Sequence, residues 1–262
     1  MQAGPGKKTK IRSQYEANTE PSWSMFQPPR VDQFESIDAL TDAAVDLIIE
    51  AAESAIEERA RFTLVLAGGS TPQRVYEALK GIATDWSRWH FYIGDERCVP
   101  RGDPLRNDLM AREAWLDHCP VNDSQVYPMP AELGPDEGAQ RYSEVVADVD
   151  VFDLVLLGLG EDGHTASLFP GHQLGEHRDS PGAIPVRNSP KPPPERVSLS
   201  AYRISQARQV VLLVSGEAKA APLKSLVMIG DTPVNALKPK NGLLVLCDAA
   251  AASQLPVEQI AD

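Results

Sequence analysis

Five short runs in the chain are apolar nearly throughout: TLVLAG (63–68), WHFYIG (89–94), FDLVLLGL (152–159), QVVLLV (209–214) and GLLVLC (242–247). A strand with one wet face alternates apolar and polar residues, so continuous runs predict strands covered on both faces. The segments between them carry a helical period. ESIDALTDAAVDLIIEAAESAIEERA (35–60) places Leu40, Ala44, Leu47, Ile48 and Ala51 on one face. TPQRVYEAL, NDLMAREAWL, DEGAQRYSEVVADV and EAKAAPLKSLV follow the same period. Strands alternating with helices predict an α/β fold: a doubly wound, mostly parallel sheet with helices on both faces. Such sheets bind ligands beyond the carboxyl ends of their strands, so motifs gain meaning there. One stretch breaks the alternation. SPGAIPVRNSPKPPPERVSLS (180–200) is too rich in proline for a helix and reads as a long extended loop. The pattern resumes beyond it, so residues 31–262 are expected to form a single domain.

A chain of 262 residues can bury a full core, and 42% hydrophobic with 24% charged residues is an ordinary globular composition. The formal net charge of −12 argues against nucleic acid or an anionic membrane as a partner. It leaves room for an anionic small molecule, because a local basic cluster dominates within a Debye length of about 10 Å. Cys98, Cys119 and Cys247 form no C-x-x-C pair, which suits a reducing, cytoplasmic location. No apolar stretch approaches the roughly 18 residues of a membrane span. The first 30 residues lack the apolar core of a signal peptide and are expected to be a disordered extension.

Three polar loops follow predicted strands. AGGSTPQRVYEAL (67–79) opens a helix: Gly68 and Gly69 permit close backbone approach, Ser70 or Thr71 suits the N-cap, and Pro72 suits the first turn. Free N–H groups beside hydroxyls at a helix start suit a phosphate, although the lysine of a P-loop is absent. IGDERCVPRGDPLRND (93–108) sets Asp95, Glu96 and Arg97 at a strand end, then supplies Arg101, Arg106 and Asn107. Arginines grouped in an acidic chain suit a carboxylate or phosphate, and Asp103 or Asn107 can cap the next helix.

The third loop, GLGEDGHTASLFPG (158–171), fits G-x-G-x-x-G through Gly158, Gly160 and Gly163. A dinucleotide site also needs a second strand ending in an acidic residue roughly 20 residues on, and that window holds PGAIPVRNSP. No metal-ligand spacing links Glu161, Asp162, His164, His172 and His177, so neither metal nor cofactor is expected. His164 remains, as a general base. Its reference pKa of about 6.5 suits proton transfer at neutral pH, and a following helix N-terminus would favour the neutral ring. Asp162 or Asp95 can fix the tautomer through the other ring nitrogen. With no nucleophile elbow in the chain, water is the expected nucleophile.

The order and spacing of AGGSTP, GDERCVP with Asn107, and GLGEDGHTASLFPG resemble the 6-phosphogluconolactonases, over residues 32–248. The related glucosamine-6-phosphate deaminases share a G-S-T loop and D-G-H, but continue with I-A-F-N-E-P where this chain has TASLFP. The resemblance implies a Rossmann-like, cofactor-free hydrolase of 6-phospho-D-glucono-1,5-lactone in the oxidative pentose phosphate pathway. It implies His164 as the base, Asp162 and Asp95 orienting it, and Arg97 beside the developing oxyanion. Gly68, Gly69, Ser70 and Thr71 would hold the phosphate with Arg106, Asn107, Arg196 and Lys219. The same likeness implies a small-molecule substrate, and the chain is expected to be a monomer or a weak dimer. The chain departs from the pattern twice: Arg106 stands where a small hydroxyl residue is usual, and PVNALKP replaces P-A-S-x-L. A deaminase-like isomerase and a non-catalytic sugar-phosphate sensor are the alternatives.

Overall fold

The computed structural model describes residues 28–260. The expected disordered extension therefore lies outside the described residues up to position 27. The first strand begins slightly earlier than the expected domain boundary, because Arg30 already belongs to it.

Seven strands form one wholly parallel sheet: β1 (Arg30–Phe34), β2 (Phe62–Leu66), β3 (Trp89–Ile93), β5 (Val126–Tyr127), β6 (Phe152–Gly158), β9 (Ala207–Val214) and β10 (Leu243–Asp248). Their spatial order is β1-β10-β9-β6-β2-β3-β5, and all five apolar runs of the sequence are among them. The longer helices are α1 (Ile37–Arg59), α2 (Ser70–Ala78), α3 (Asn107–Ala114) and α4 (Pro135–Ala147); α5 (Ala201–Ser205) and α6 (Ala220–Lys224) are single turns.

Two apolar cores lie against the sheet, and residues along each central strand alternate between them. Leu64, Leu66, Leu154 and Leu156 join Leu40, Ala44 and Ile48 of α1 and Val75 of α2. Val65, Val155 and Leu157 join Ala139, Tyr142 and Val146 of α4. Burial on both faces is why these strands lack the polar alternation of a half-exposed sheet. α1 starts where Ser36 accepts the amide N–H of Ala39 at 3.2 Å. It closes on Ala60, left-handed at φ 55°. Its buried face, Leu40, Ala44, Ile48, Ala52 and Ala55, follows the 3.6-residue period; Leu47 and Ala51 flank it, half-buried.

The proline-rich stretch is more ordered than a loop. It contains β7 (Ala183–Val186) and β8 (Arg196–Leu199), which pair antiparallel and continue onto β4 (Asp95–Arg97). Register pairs Asp95 with Ser198 and Arg97 with Arg196. This small second sheet carries the proline-rich segment to the carboxyl ends of the large one.

Candidate active site

A cleft of about 470 Å³ lies at those carboxyl ends, lined by the three loops singled out in the sequence. Ala67 to Pro72 follow β2, Asp95 and Arg97 follow β3, and Gly158 to Gly160 with His164 follow β6.

The first loop is pinned by its own helix. The Tyr76 hydroxyl accepts from the Ala67 amide at 2.9 Å and donates to the Ala67 carbonyl at 3.0 Å. Gly69, at φ 106°, occupies the N-cap without a side-chain cap. The hydroxyls expected there do other work: Ser70 and Thr71 fall inside the first turn, and Thr71 Oγ1 meets Ser215 Oγ at 2.7 Å. The N–H groups of Ser70 and Thr71 precede the first intrahelical bond, from Gln73 to Gly69, so they face the cleft uncapped.

The second loop divides its charges. Asp95 and Arg97 line the cleft, whereas Glu96 alternates to the far side of β4 and is fully buried. There Glu96 accepts the N–H groups of Arg97, Asn107 and Asp108, each at 2.9 Å, so it caps α3 from a distance. Burial, with Asp108 adding, pushes its carboxyl up to about 7, although these bonds favour the ionised form. Asn107 faces the cleft, and its Nδ2 donates to the Asp95 carbonyl at 2.7 Å and to Asp95 Oδ1 at 3.2 Å. It packs over Gly68, where a Cβ would fall 2.0 Å from Asn107 Oδ1.

Arg106 does not reach the cleft, contrary to expectation. Its side chain is 2% exposed and faces Asp108 at 2.8 Å, Glu132 at 3.2 Å and Glu96 at 3.8 Å. It also donates to the carbonyls of Met129 at 2.8 Å and Val99 at 3.5 Å, which engages all five guanidinium donors. Burial lowers its pKa, but these carboxylates together raise it above the ordinary value. Arg101 is exposed and pairs with Glu132 at 2.6 Å.

In the third loop the structure brings His164 and Asp162 together, with Nδ1 facing Asp162 Oδ1. The turn closes through the Gly160 amide to the His164 carbonyl at 2.7 Å and the Gly163 amide to the Gly160 carbonyl at 3.0 Å. Thr165 Oγ1 ties it to the end of β6 through the Gly158 carbonyl at 2.8 Å. The expected helix after β6 is absent, since the chain runs through turns to β7, so no following helix lends its dipole to the ring. Burial lowers the imidazole pKa instead, against the opposing influence of Asp162 and Asp95. Burial pushes the Asp162 carboxyl upward, but its bonds from His164 outweigh that and hold it below the usual value. Asp95 makes no bond to the ring; its Oδ2 accepts from Ser167 Oγ at 2.6 Å. Phe169, fully buried, lies 4.5 Å from the His164 ring centre.

Arg196 and Lys219 line the cleft as expected. Burial depresses both, with Asp95 opposing at Arg196 and Glu161 opposing at Lys219. Of the polar lining residues outside the three loops, Lys191 and Ser215 had no part in the sequence expectations. Ser215 directly follows β9, so the strand-end rule would have found it; Lys191 sits among prolines and carries no local signal. The charged lining is thus Arg97, Lys191, Arg196 and Lys219 against Asp95. Among the described residues, no three His, Cys, Asp or Glu side chains are grouped to hold a metal ion. No helix among them is long and apolar enough to cross a membrane.

Residues 35–246 match the family described as glucosamine-6-phosphate isomerases/6-phosphogluconolactonase. A 6-phosphogluconolactonase of Mycobacterium leprae is 37% identical over 245 residues, spanning 86% of this chain and 98% of its own. One from Streptomyces coelicolor is 37% identical over 253 residues, spanning 88% of this chain and 97% of its own. The crystal structure of 6-phosphogluconolactonase from Thermotoga maritima superposes with a TM-score of 0.77 at 27% identity, covering 84% of this chain and 99% of that one.

Proposed function

This chain belongs to the glucosamine-6-phosphate isomerase/6-phosphogluconolactonase family, and from that premise we propose that it hydrolyses 6-phospho-D-glucono-1,5-lactone to 6-phospho-D-gluconate with His164 as general base. The observation that carries this reading is the His164–Asp162 pair, set beside a cleft whose charged lining is otherwise cationic except for Asp95.

With Nδ1 donating to Asp162, the lone pair on Nε2 is free to take a proton from water. The hydroxide adds to the lactone carbonyl carbon, and the carbonyl electron pair moves onto oxygen. Arg97, whose buried Nε has no partner among the described residues, stands in the lining where a donor can meet that oxyanion. Collapse breaks the bond from the carbonyl carbon to the ring oxygen, which leaves as the C5 hydroxyl with the imidazolium proton. The phosphate rests on the uncapped amides of Ser70 and Thr71, the Thr71 hydroxyl and Lys219. General-base catalysis contributes about 10²–10⁴-fold, or roughly 2.7–5.4 kcal/mol of barrier. A six-membered lactone already hydrolyses unaided, so that suffices.

The test is a lactonase assay coupled to glucose-6-phosphate oxidation, with spontaneous hydrolysis subtracted. The wild type should exceed the spontaneous rate, and His164→Ala should fall to it while keeping its circular dichroism spectrum. Full activity in His164→Ala would exclude the base, and ammonia release from glucosamine 6-phosphate would overturn the assignment.

A further inference from the structure

We propose that Lys191 is a phosphate-binding residue of the cleft and that Arg196 is the positioning residue that presents it; this rests on the lactonase reading above. Arg196 has the wrong bonds for a phosphate ligand. Its Nε donates to the Pro193 carbonyl at 3.1 Å, and Nη2 donates to the carbonyls of Lys191 and Pro192, each at 3.1 Å. Nη1 lies 3.5 Å from Ser167 Oγ. Four of five donors are thereby engaged inside the protein, so the planar fork that makes arginine a bidentate anion ligand is not on offer. The guanidinium carbon also sits 5.5 Å from the Phe169 ring centre, which holds it from another side. What these bonds fix is the backbone of 191–193, the segment that brings Lys191 to the cleft.

Lys191 is committed to little. Its closest carboxylate is Glu161 at 3.9 Å, with the two side chains 39% and 65% exposed. A pair so exposed and so long contributes at most about 1 kcal/mol, and a dianion can displace it. Lys219, in the turn after β9, lines the same cleft, and its ammonium is held up by the charge of the same Glu161 and depressed by that of Lys191. Two ammonium groups that repel each other across one exposed carboxylate suit a phosphate dianion. The Thr71–Ser215 hydroxyl pair and the start of α2 belong to the same lining. Lysine, a compact point charge, serves here as well as an arginine fork.

The test compares Lys191→Gln, Arg196→Gln and the double variant on 6-phosphogluconolactone and on unphosphorylated gluconolactone. Lys191→Gln should raise KM for the phosphorylated lactone at least about tenfold, or about 1.4 kcal/mol, and leave kcat within about twofold. The preference for phosphorylated over unphosphorylated lactone should fall by the same factor. Arg196→Gln should reproduce that rise, and the double variant should add no more than about twofold, because both changes act through one contact. An equal loss on both lactones, or a multiplicative KM in the double variant, overturns the proposal. Should Arg196→Gln fail to fold, Lys191→Arg decides, since it should recover most of the KM lost in Lys191→Gln; no recovery overturns the phosphate contact. Calorimetric titration of His164→Ala with 6-phosphogluconate separates the two readings. Binding that weakens tenfold on adding Lys191→Gln supports the phosphate contact even if the wild type proves not to hydrolyse the lactone.

Discussion

Replacing Gly160 by alanine separates the chemistry of the His164 turn from its folding. A Cβ on Gly160 falls 2.0 Å from His164 Nδ1, 2.2 Å from Cε1 and 2.7 Å from Asp162 Oδ1. Ordinary contact begins near 3.4 Å, so the imidazole has to retreat by about 1.4 Å or leave Asp162 altogether. The backbone has no reason to follow, because Gly160 is not one of the glycines held at positive φ. His164 has an exit, with 16% of its side chain already exposed. A displacement of about 1 Å in a positioned group reduces rates on the order of 10²-fold. We therefore expect kcat to fall by at least about 10²-fold, equivalent to about 2.7 kcal/mol of barrier. Stability should move little, since the alanine restricts the unfolded chain by about 0.4–1 kcal/mol and offsets local crowding. The assay is the coupled lactonase rate above background, with a thermal melt on the same preparation. A folded Gly160→Ala protein with wild-type kcat would refute the placement of the imidazole, and the base with it.

Two further substitutions probe the carboxylate beside that ring, and a third probes Arg106. Asp162→Ala removes the carboxylate that holds the His164 pKa up against burial. The acidic limb of kcat/KM should then move to lower pH while kcat falls, and a shift to higher pH would contradict the assigned pairing. Asp162→Asn should be slower still than Asp162→Ala, because an amide donor opposite Nδ1 drives the ring proton onto Nε2; equal rates would count against that tautomer. Arg106→Ser restores the small hydroxyl residue of the family pattern but leaves Glu96, Asp108 and Glu132 facing one another. Urea unfolding should show a loss of about 3–5 kcal/mol. A KM increase above tenfold without loss of stability would return Arg106 to the substrate.

The parallel sheet was legible because double burial leaves a strong local signal, and all five apolar runs became strands. The place of the candidate site was legible because a parallel sheet puts its ligand at the strand ends, which is where His164, Asp95 and the α2 start converge. The second sheet was not. β4, β7 and β8 are three or four residues long and lie among prolines and charges, and β4 reaches β8 across about a hundred residues of chain. Arg106 shows the same limit at the site. From sequence it resembles Arg97, a cation after a strand. What separates them is Glu132 and the Met129 carbonyl, which only the fold brings against it. The missing helix after β6 is a further case: burial, rather than the expected dipole, lowers the His164 pKa.

The cationic lining also resolves how a chain of net charge −12 can attract an anion. At physiological ionic strength charges beyond about 8 Å are largely screened, so most carboxylates are invisible to a ligand already at the rim. The four lining cations act from within the cleft, where the local dielectric is lower and each interaction correspondingly stronger. They come from separate segments: Arg97 from β4, Lys191 and Arg196 from the two ends of the turn into β8, and Lys219 from the turn after β9. A positive field assembled that way appears only when both sheets are in place. A cationic cleft is thereby coupled to complete folding, and the second sheet is as necessary to it as the strand ends that carry His164.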